Sequence, residues 1–566
     1  MYFLYPTNTD EGKSGIKYSL ITEWALRSYR RKNYLRNMMN KKINVWLPLL
    51  FSITMVAGMF LGYKMRDANP SKSFFHSEKR RPFQEISDLI KNKYVDDVNM
   101  DALMDTAIQS ILNKLDPHSV FIPAEQLQGI NEDIAGKFFG IGVEFNIFED
   151  TINVLNVLKD GPGDKAGIKT GDKFLKVGDS LVAGNHITAD KIKKLLRGDR
   201  GTKVTIEIVR NIEKKSISIT RDAIPLKSVD ASYMIDAHIG FIKLNKFSSQ
   251  TYREFMEALT ALKKQGLEQL ILDLRGNGGG VLDEATEIAD EFLSGDKLIT
   301  YTEGKHAPKK EFRCRREGQF EKGSLVLLCD EGSASASEVL MGALQDWDRA
   351  VIIGRRSFGK GLVGEQFNLS DGSALRLTIA RYYTPVGRSI QRSYGLGEKA
   401  YFDEISNRFH DGETLNADSV KFDKTQIFKT KAGKTVYGGG GITPDYFVPL
   451  DSGILSATTV KIYAKGTISN FAYKYYLQNQ STLNAFKNST DFNNHFIFSD
   501  LDWQYFTHFA SKDSVTLNSI TSIEKNKLIN SIKVSLARQL WRMEGLYEVQ
   551  NTTDNAIKKA LEILKK

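Results

Sequence analysis

Two stretches of this chain carry a buried-strand signal that breaks into a run of very small residues and reopens as a helix. In QLILDLRGNGGG (Gln269–Gly280) an apolar strand enters a glycine-rich turn ahead of the helical pattern Leu282–Leu293. In SLVLLCDEGSASASEVLMGALQDWD (Ser324–Asp348) the strand Leu325–Leu328 enters the turn Asp330-Glu331-Gly332. The small run Ser333–Ser337 then opens an apolar helix. A strand at Ile239–Lys243 with a helix over Ser249–Gln265 precedes them, and a further strand, Val351–Ile353, follows. Short apolar strands alternating with helices of ten or more residues give a βαβ rhythm, so the core is expected to be α/β.

The second stretch has the makings of a nucleophile site. A serine at a helix N-terminus lies where backbone N–H groups point outward and the helix dipole favours negative charge. An acyl-transfer oxyanion needs that environment. Downstream stands a glycine-flanked lysine, Gly359-Lys360-Gly361, which can act as base when burial keeps it neutral. Ser–Lys pairs are an attested variant of the serine triad.

Three segments in order, DLRGNGGG (Asp273–Gly280), GSASASE (Gly332–Glu338) and FGKG (Phe358–Gly361), resemble the C-terminal processing peptidases, or tail-specific proteases. The resemblance runs from about Phe83 to Leu450. It implies a ClpP/crotonase-like core with Ser335 as nucleophile and Lys360 as base. It also implies oxyanion donors from Gly279 or Gly280 together with the Ala336 N–H. Arg275 and Asn277 are read as braces of the glycine turn, and Ser333 and Ser337 as small packing and capping residues. Many members carry a glutamine four residues after the lysine, and here that position is Gly364. Gln366 could share its strand face and substitute for it. Asp346 matches an acidic position eleven after the serine in some members. Either it supports the site or it is a solvated carboxylate at the helix end. The alternative to an active protease is a catalytically silent PDZ scaffold, with Gly364 as the sign of a dyad without its support.

Phe138–Asp222 resembles a PDZ domain. FFGIGVEF resembles a carboxylate-binding loop and its strand, so Gly140, Ile141, Gly142 and Val143 are the candidate tail-binding residues. Successive N–H groups there can hold a terminal carboxylate while the peptide adds to the sheet edge. Thr188–Gly198 reads as the groove helix, and GTKVTIEIVR closes the sheet. Asp116-Pro117-His118-Ser119 stops an earlier helix, and His118 is read as a turn residue.

Other chemistries find little support. GRRSFGKG (Gly354–Gly361) satisfies the G-x-x-x-x-G-K pattern, but Gly361 replaces the magnesium-binding Ser/Thr. The next segment reads as a hairpin where a P-loop needs a helix. No HExxH or CxxC pattern occurs, so neither a metal nor another cofactor is expected. Two cysteines exclude a disulfide framework. Cys329 reads as a small hydrophobe, with a Cys314–Cys329 bridge as an open alternative. The formal charge of +10 is concentrated at the start: residues 1–42 hold nine Lys/Arg against three acids. No basic footprint, and hence no nucleic-acid partner, is implied for the folded part.

The expected organisation is a basic cytoplasmic stretch at 1–42, with Met38 or Met39 as alternative starts, and a single-pass anchor at 43–63. A linker (64–82), a helical segment (83–135), the PDZ domain (136–224), the protease core (225–450) and a helical region (451–566) follow. Ile43–Tyr63 is 21 residues without a charge, enough to cross a bilayer. The basic flank puts the remainder outside the cytoplasm, in the periplasm of a bacterial envelope; a cleaved signal peptide is the competing reading. The segment Arg392–Lys434 reads as polar and irregular. For the terminal helices the resemblance implies homodimerisation, and for the whole chain protein substrates held by their C-terminal tails.

Overall fold

The computed structural model describes residues 46–62, 64, 82–421, 425–451, 455–517 and 520–565. The chain divides into two compact units, residues 1–103 and 104–566. In the first, residues 46–62 form a helix with exposed side chains, and Pro82–Lys93 forms another. The expected span Ile43–Tyr63 lies partly outside the described residues, as does all of 1–42. Among the described residues no helix is long and apolar enough to cross a membrane.

The centre of the second unit is a six-stranded sheet. Its order is Val229–Met234, Ile239–Leu244, Gln269–Asp273, Leu325–Cys329, Val351–Gly354, Tyr446–Phe447. Only the first pair is antiparallel; the rest are parallel. Ile239–Leu244 and Leu325–Cys329 are buried at every position, as parallel strands covered on both faces must be. One face packs on Phe255, Leu259, Leu262, Ala285, Ile288 and Leu340. The other face, with Phe241, Ile271, Val326, Leu328 and Ile353, packs on Ala556, Ile557, Ala560 and Leu564 of the last helix, Asn555–Leu564. That helix has its apolar stripe on its own sheet, so the expected use of terminal helices for a homodimer gains no support from it.

The lysine loop leads into the hairpin Leu362–Asn368 and Ala374–Tyr383, part of a second sheet. A hairpin in place of a helix removes the P-loop reading. Lys137–Gly140 and Asp222–Pro225 pair antiparallel and close off the PDZ domain between them. Its sheet runs Val143–Phe148, Thr151–Val157, Lys173–Val177, Lys203–Arg210, Glu213–Thr220. The groove helix is Ala189–Leu196, capped by the Thr188 hydroxyl. The segment expected to be irregular instead contains the helix Glu398–His410. Cys314 and Cys329 are both buried and free, so the open alternative of a bridge falls away.

Candidate active site

Ser335 is the pivot between strand and helix. The chain leaves Leu325–Cys329, turns through residues 330–334, and enters the helix Ala336–Asp346 directly after Ser335. Ser335 has φ 56° and ψ −115°, a conformation that a non-glycine residue holds only when its surroundings enforce it. The enforcement is visible. The Ser335 N–H donates to Glu338 Oε2 at 2.8 Å, the Ala334 N–H donates to the Asn277 carbonyl at 3.0 Å, and the Ser337 hydroxyl donates to the same carbonyl at 2.9 Å. The glycine turn is pressed against the serine. A Cβ on Gly279 would stand 2.7 Å from Ser335 Cβ and 2.9 Å from the Ala336 nitrogen, so only glycine fits there.

Glu338, wholly buried, was missed as a site residue by sequence reasoning. Its Oε2 accepts the N–H groups of Ser335 and Lys360, both at 2.8 Å. Its Oε1 accepts the Gly359 N–H at 2.7 Å and the Ser357 hydroxyl. Burial raises its pKa, and the bonds from Ser357, Lys360, Gly359 and Ser335 pull it back. Four donors fill the acceptor sites of an ionised carboxylate. Tyr382 completes the clamp, its hydroxyl lying 2.6 Å from the Lys360 carbonyl oxygen and 3.1 Å from that of Ser335. The helix Glu398–His410 adds Arg408, which donates to the Ser357 carbonyl at 2.7 Å.

Ser335 and Lys360 line one cleft of about 480 Å³ together with His118, Gly279, Gly280, Gly364, Arg376 and Tyr382, among others. Among the described residues Lys360 Nζ has no hydrogen-bond or ion-pair partner. Burial lowers its pKa, and the Arg376 guanidinium lowers it further, against weaker pulls from Glu338 and Asp116. His118 is more than the turn residue expected. Its Nε2 lies 2.9 Å from the Tyr401 hydroxyl. Burial, with the Lys360 charge next, lowers its pKa to about 4, which keeps the imidazole neutral at ordinary pH.

Other expected residues fall less simply. The Gly279 N–H already donates to Asn277 Oδ1 at 2.9 Å, which leaves Gly280 and Ala336 as the candidate oxyanion donors. Gln366 lines the cleft, yet its amide is engaged elsewhere. Its Oε1 accepts from Arg376 at 3.1 Å, and its Nε2 donates to Asn131 and Asn368, each at 3.3 Å. It makes no bond to the lysine among the described residues. The space beside Gly364 belongs to Arg376, whose Cγ would be 3.4 Å from a Cβ placed there. Asp346 ends an eleven-residue helix, about 16 Å along the axis from Ser335. It is neither in the cleft nor solvated: it pairs with Arg388 at 2.7 Å, both side chains fully buried, and accepts the Val386 N–H at 3.1 Å. Arg275 and Asn277 do brace the turn. Arg275 forks onto Asp273, and Asn277 Nδ2 donates to the Leu244 carbonyl at 3.1 Å. In the PDZ domain, Gly140–Phe145 and Ala189, Lys193, Leu196 and Arg197 line a groove of about 290 Å³.

Known proteins resemble this chain segment by segment. Peptidase family S41 matches residues 238–397 and a PDZ domain matches 140–220. The N-terminal domain of the activating protease CtpB matches 56–126, and DUF8443, a family of unknown function, matches 459–542. A probable CtpA-like serine protease of Staphylococcus epidermidis is 34% identical over 364 residues, 63% of this chain and 73% of the relative. One from Staphylococcus aureus is 34% identical over 349 residues, 61% and 68% respectively. Among solved structures, the photosystem II D1 C-terminal processing protease is 28% identical, covers 55% of this chain and 83% of its own, and superposes with a TM-score of 0.32.

Proposed function

This chain belongs to peptidase family S41, and from that premise we propose that Ser335 and Lys360 are the catalytic dyad of a C-terminal processing serine peptidase. The protein is a serine-type endopeptidase with a PDZ domain for the C-termini of its protein substrates. One observation carries the assignment of the dyad: Glu338 and Tyr382 bind the main chains of Ser335 and Lys360 to each other at the wall of a single cleft.

In the proposed reaction neutral Lys360 takes the Ser335 hydroxyl proton as Oγ attacks the peptide carbonyl carbon. The oxyanion is held by the N–H groups of Gly280 and Ala336, at the N-terminus of the helix. Collapse breaks the C–N bond, and Lys360 returns the proton to the departing amine. Lys360 then draws a proton from water as the water oxygen attacks the acyl ester. As the ester C–O bond breaks, Lys360 passes that proton to Ser335 Oγ, which frees the acid and restores the neutral lysine. The lowered lysine pKa supports this role, since a protonated lysine is no base.

The test compares the wild-type protein with Ser335→Ala and Lys360→Ala on an unstructured protein with an apolar C-terminal tail. Cleavage by the wild type and none by either variant is the expected result. Undiminished cleavage by Ser335→Ala would remove the assignment. The basic flank and uncharged run Ile43–Tyr63 support a membrane-anchored form with its catalytic part in the periplasm. Membrane fractionation followed by protease treatment of spheroplasts tests that reading, and recovery in the soluble cytoplasmic fraction would oppose it.

A further inference from the structure

The C-terminal helices, part of which match a family of unknown function, reach two places in the same unit. The first is the PDZ domain. Tyr473 stacks on Phe148 with ring centroids 5.3 Å apart, Gln539 Nε2 donates to the Leu155 carbonyl at 2.6 Å, and Arg538 pairs with Glu144. The second is the protease core, reached by the same long helix, Ser522–Asn551, after a break at Trp541 and Arg542. Asn551 Nδ2 there donates to the Tyr233 hydroxyl at 2.8 Å.

The chain then arrives beneath the glycine turn. Asp554 caps the last helix by accepting the N–H groups of Ala556 and Ile557 on Oδ1, at 2.8 and 3.0 Å. Its other oxygen, Oδ2, accepts from Arg275 Nη1 at 2.8 Å. Arg275 opens the turn that continues to Gly280. Its Nη2 and Nε fork onto Asp273 at 2.7 and 3.1 Å. Asp273, 1% exposed, also takes Lys243 Nζ at 3.2 Å. Without Asp554 this bonded cluster holds two cations, Lys243 and Arg275, and one anion. Asp554 balances it. With the C-terminal segment docked, loss of the Asp554 charge would leave one cation of this partly buried cluster without an anion, which is costly.

We propose that the C-terminal helical region is a positioning element for catalysis, with Asp554 acting through Arg275 to hold the 275–280 turn where the Gly280 N–H meets the oxyanion. The inference rests on the dyad reading above and on Gly280 and Ala336 as donors. Asp554 touches no reacting atom and is a positioning residue. The Asp273–Arg275 fork ties the start of the turn to its strand, and Asp554 fixes the outward edge of the guanidinium. Loss of that hold lets the turn rock about the fork and moves the donor at its far end.

The test uses the full chain and a short peptide substrate. Asp554→Asn keeps a cap oxygen for Ala556 and Ile557 and removes the charge. The expected result is a fall in kcat of about tenfold per folded molecule, with KM within about twofold. The plateau of the pH profile drops while its midpoint stays, because Lys360 is untouched. Asp554→Glu, which restores the charge, recovers part of the loss. An unchanged kcat in Asp554→Asn overturns the inference, as does a lowered Tm with kcat per folded molecule intact. Ser335→Ala in the same assay separates the two claims. If it remains active the dyad reading fails, and if it is inert while Asp554→Asn equals wild type only the inference fails.

Discussion

Ser335 and Lys360 are joined through their main chains: one carboxylate oxygen of Glu338 accepts the N–H of both at 2.8 Å. Tyr382 reaches both carbonyls from the other side. Two side chains outside the proposed dyad therefore tie the main chains of its residues together.

Replacing Glu338 by Gln keeps the volume but turns an NH₂ toward donors that need an acceptor. Two buried donors lose their partner, at about 1–3 kcal/mol each. The expected outcome is a lowered Tm and a kcat reduced by about a hundredfold, the scale of an ångström-sized misplacement. A kcat within twofold of wild type would show that the clamp does not set the pair.

Tyr382→Phe removes one hydroxyl and leaves the buried ring in place. The hydrogen bond is worth roughly 1 kcal/mol to stability, so the protein stays folded. Steady-state kinetics should show kcat falling by about tenfold with KM little changed. Equal losses in a peptide-binding assay would argue against a role in aligning the dyad.

The pH–rate profile follows from Lys360. Its pKa is lowered by burial first and by Arg376 second, so the neutral amine is available at lower pH than for a free lysine. The ratio kcat/KM should rise with pH through that pKa to a plateau and fall on the acid side. Arg376→Gln removes a neighbouring positive charge, which raises the lysine pKa and moves the acid limb to higher pH. A limb that does not move would deny Arg376 this influence.

His118 titrates in the opposite register, through stability. Its folded-state pKa of about 4 lies below the usual 6.5, so the native state binds fewer protons than the unfolded chain between those values. Stability is fully present above pH 6.5 and is lost as pH falls through about 4, by roughly 3 kcal/mol in all. Thermal unfolding from pH 7 to 4 should show a shallower decline in His118→Gln than in wild type. Parallel curves would contradict this.

The PDZ groove is lined by the glycine loop and the helix Ala189–Leu196. Gly142 has φ +71°, and a Cβ there would stand 3.1 Å from Ile224 Cδ1. Gly142→Val should deform the loop and weaken tail binding by about tenfold. Amidation of the substrate tail should raise KM for the wild type and have little further effect in the variant, measured on the same protein substrate. A variant as sensitive to amidation as the wild type would place carboxylate reading elsewhere.

Local order explains what could be read from residues alone. The strands Gln269–Asp273 and Leu325–Cys329, the small-residue turns after them and the helix from Ala336 are written in apolar runs and in glycine and serine spacing. Those features also exposed Ser335 and Lys360 as candidates and ruled the P-loop lookalike out. Gln366 shows the limit of such local reading. A shared strand face says where a side chain starts, but Arg376 and Asn131, on other elements, decide what its amide bonds to. Asp346 met Arg388 for the same cause, and Glu398–His410 became a helix whose Arg408 donates to the Ser357 carbonyl of the lysine loop.

The sequence by itself determined the α/β core, because apolar runs and small-residue spacing encode it within a few turns of chain. Its resemblance to the C-terminal processing peptidases pointed to the PDZ domain and to Ser335 and Lys360 as the proposed dyad. Only the tertiary structure decided that Glu338 serves four donors, that His118 borders the lysine, and that Asp554 meets Arg275 across 279 positions. Such meetings depend on how whole elements pack, and packing brings charges together by burial and complementarity with no trace in local periodicity.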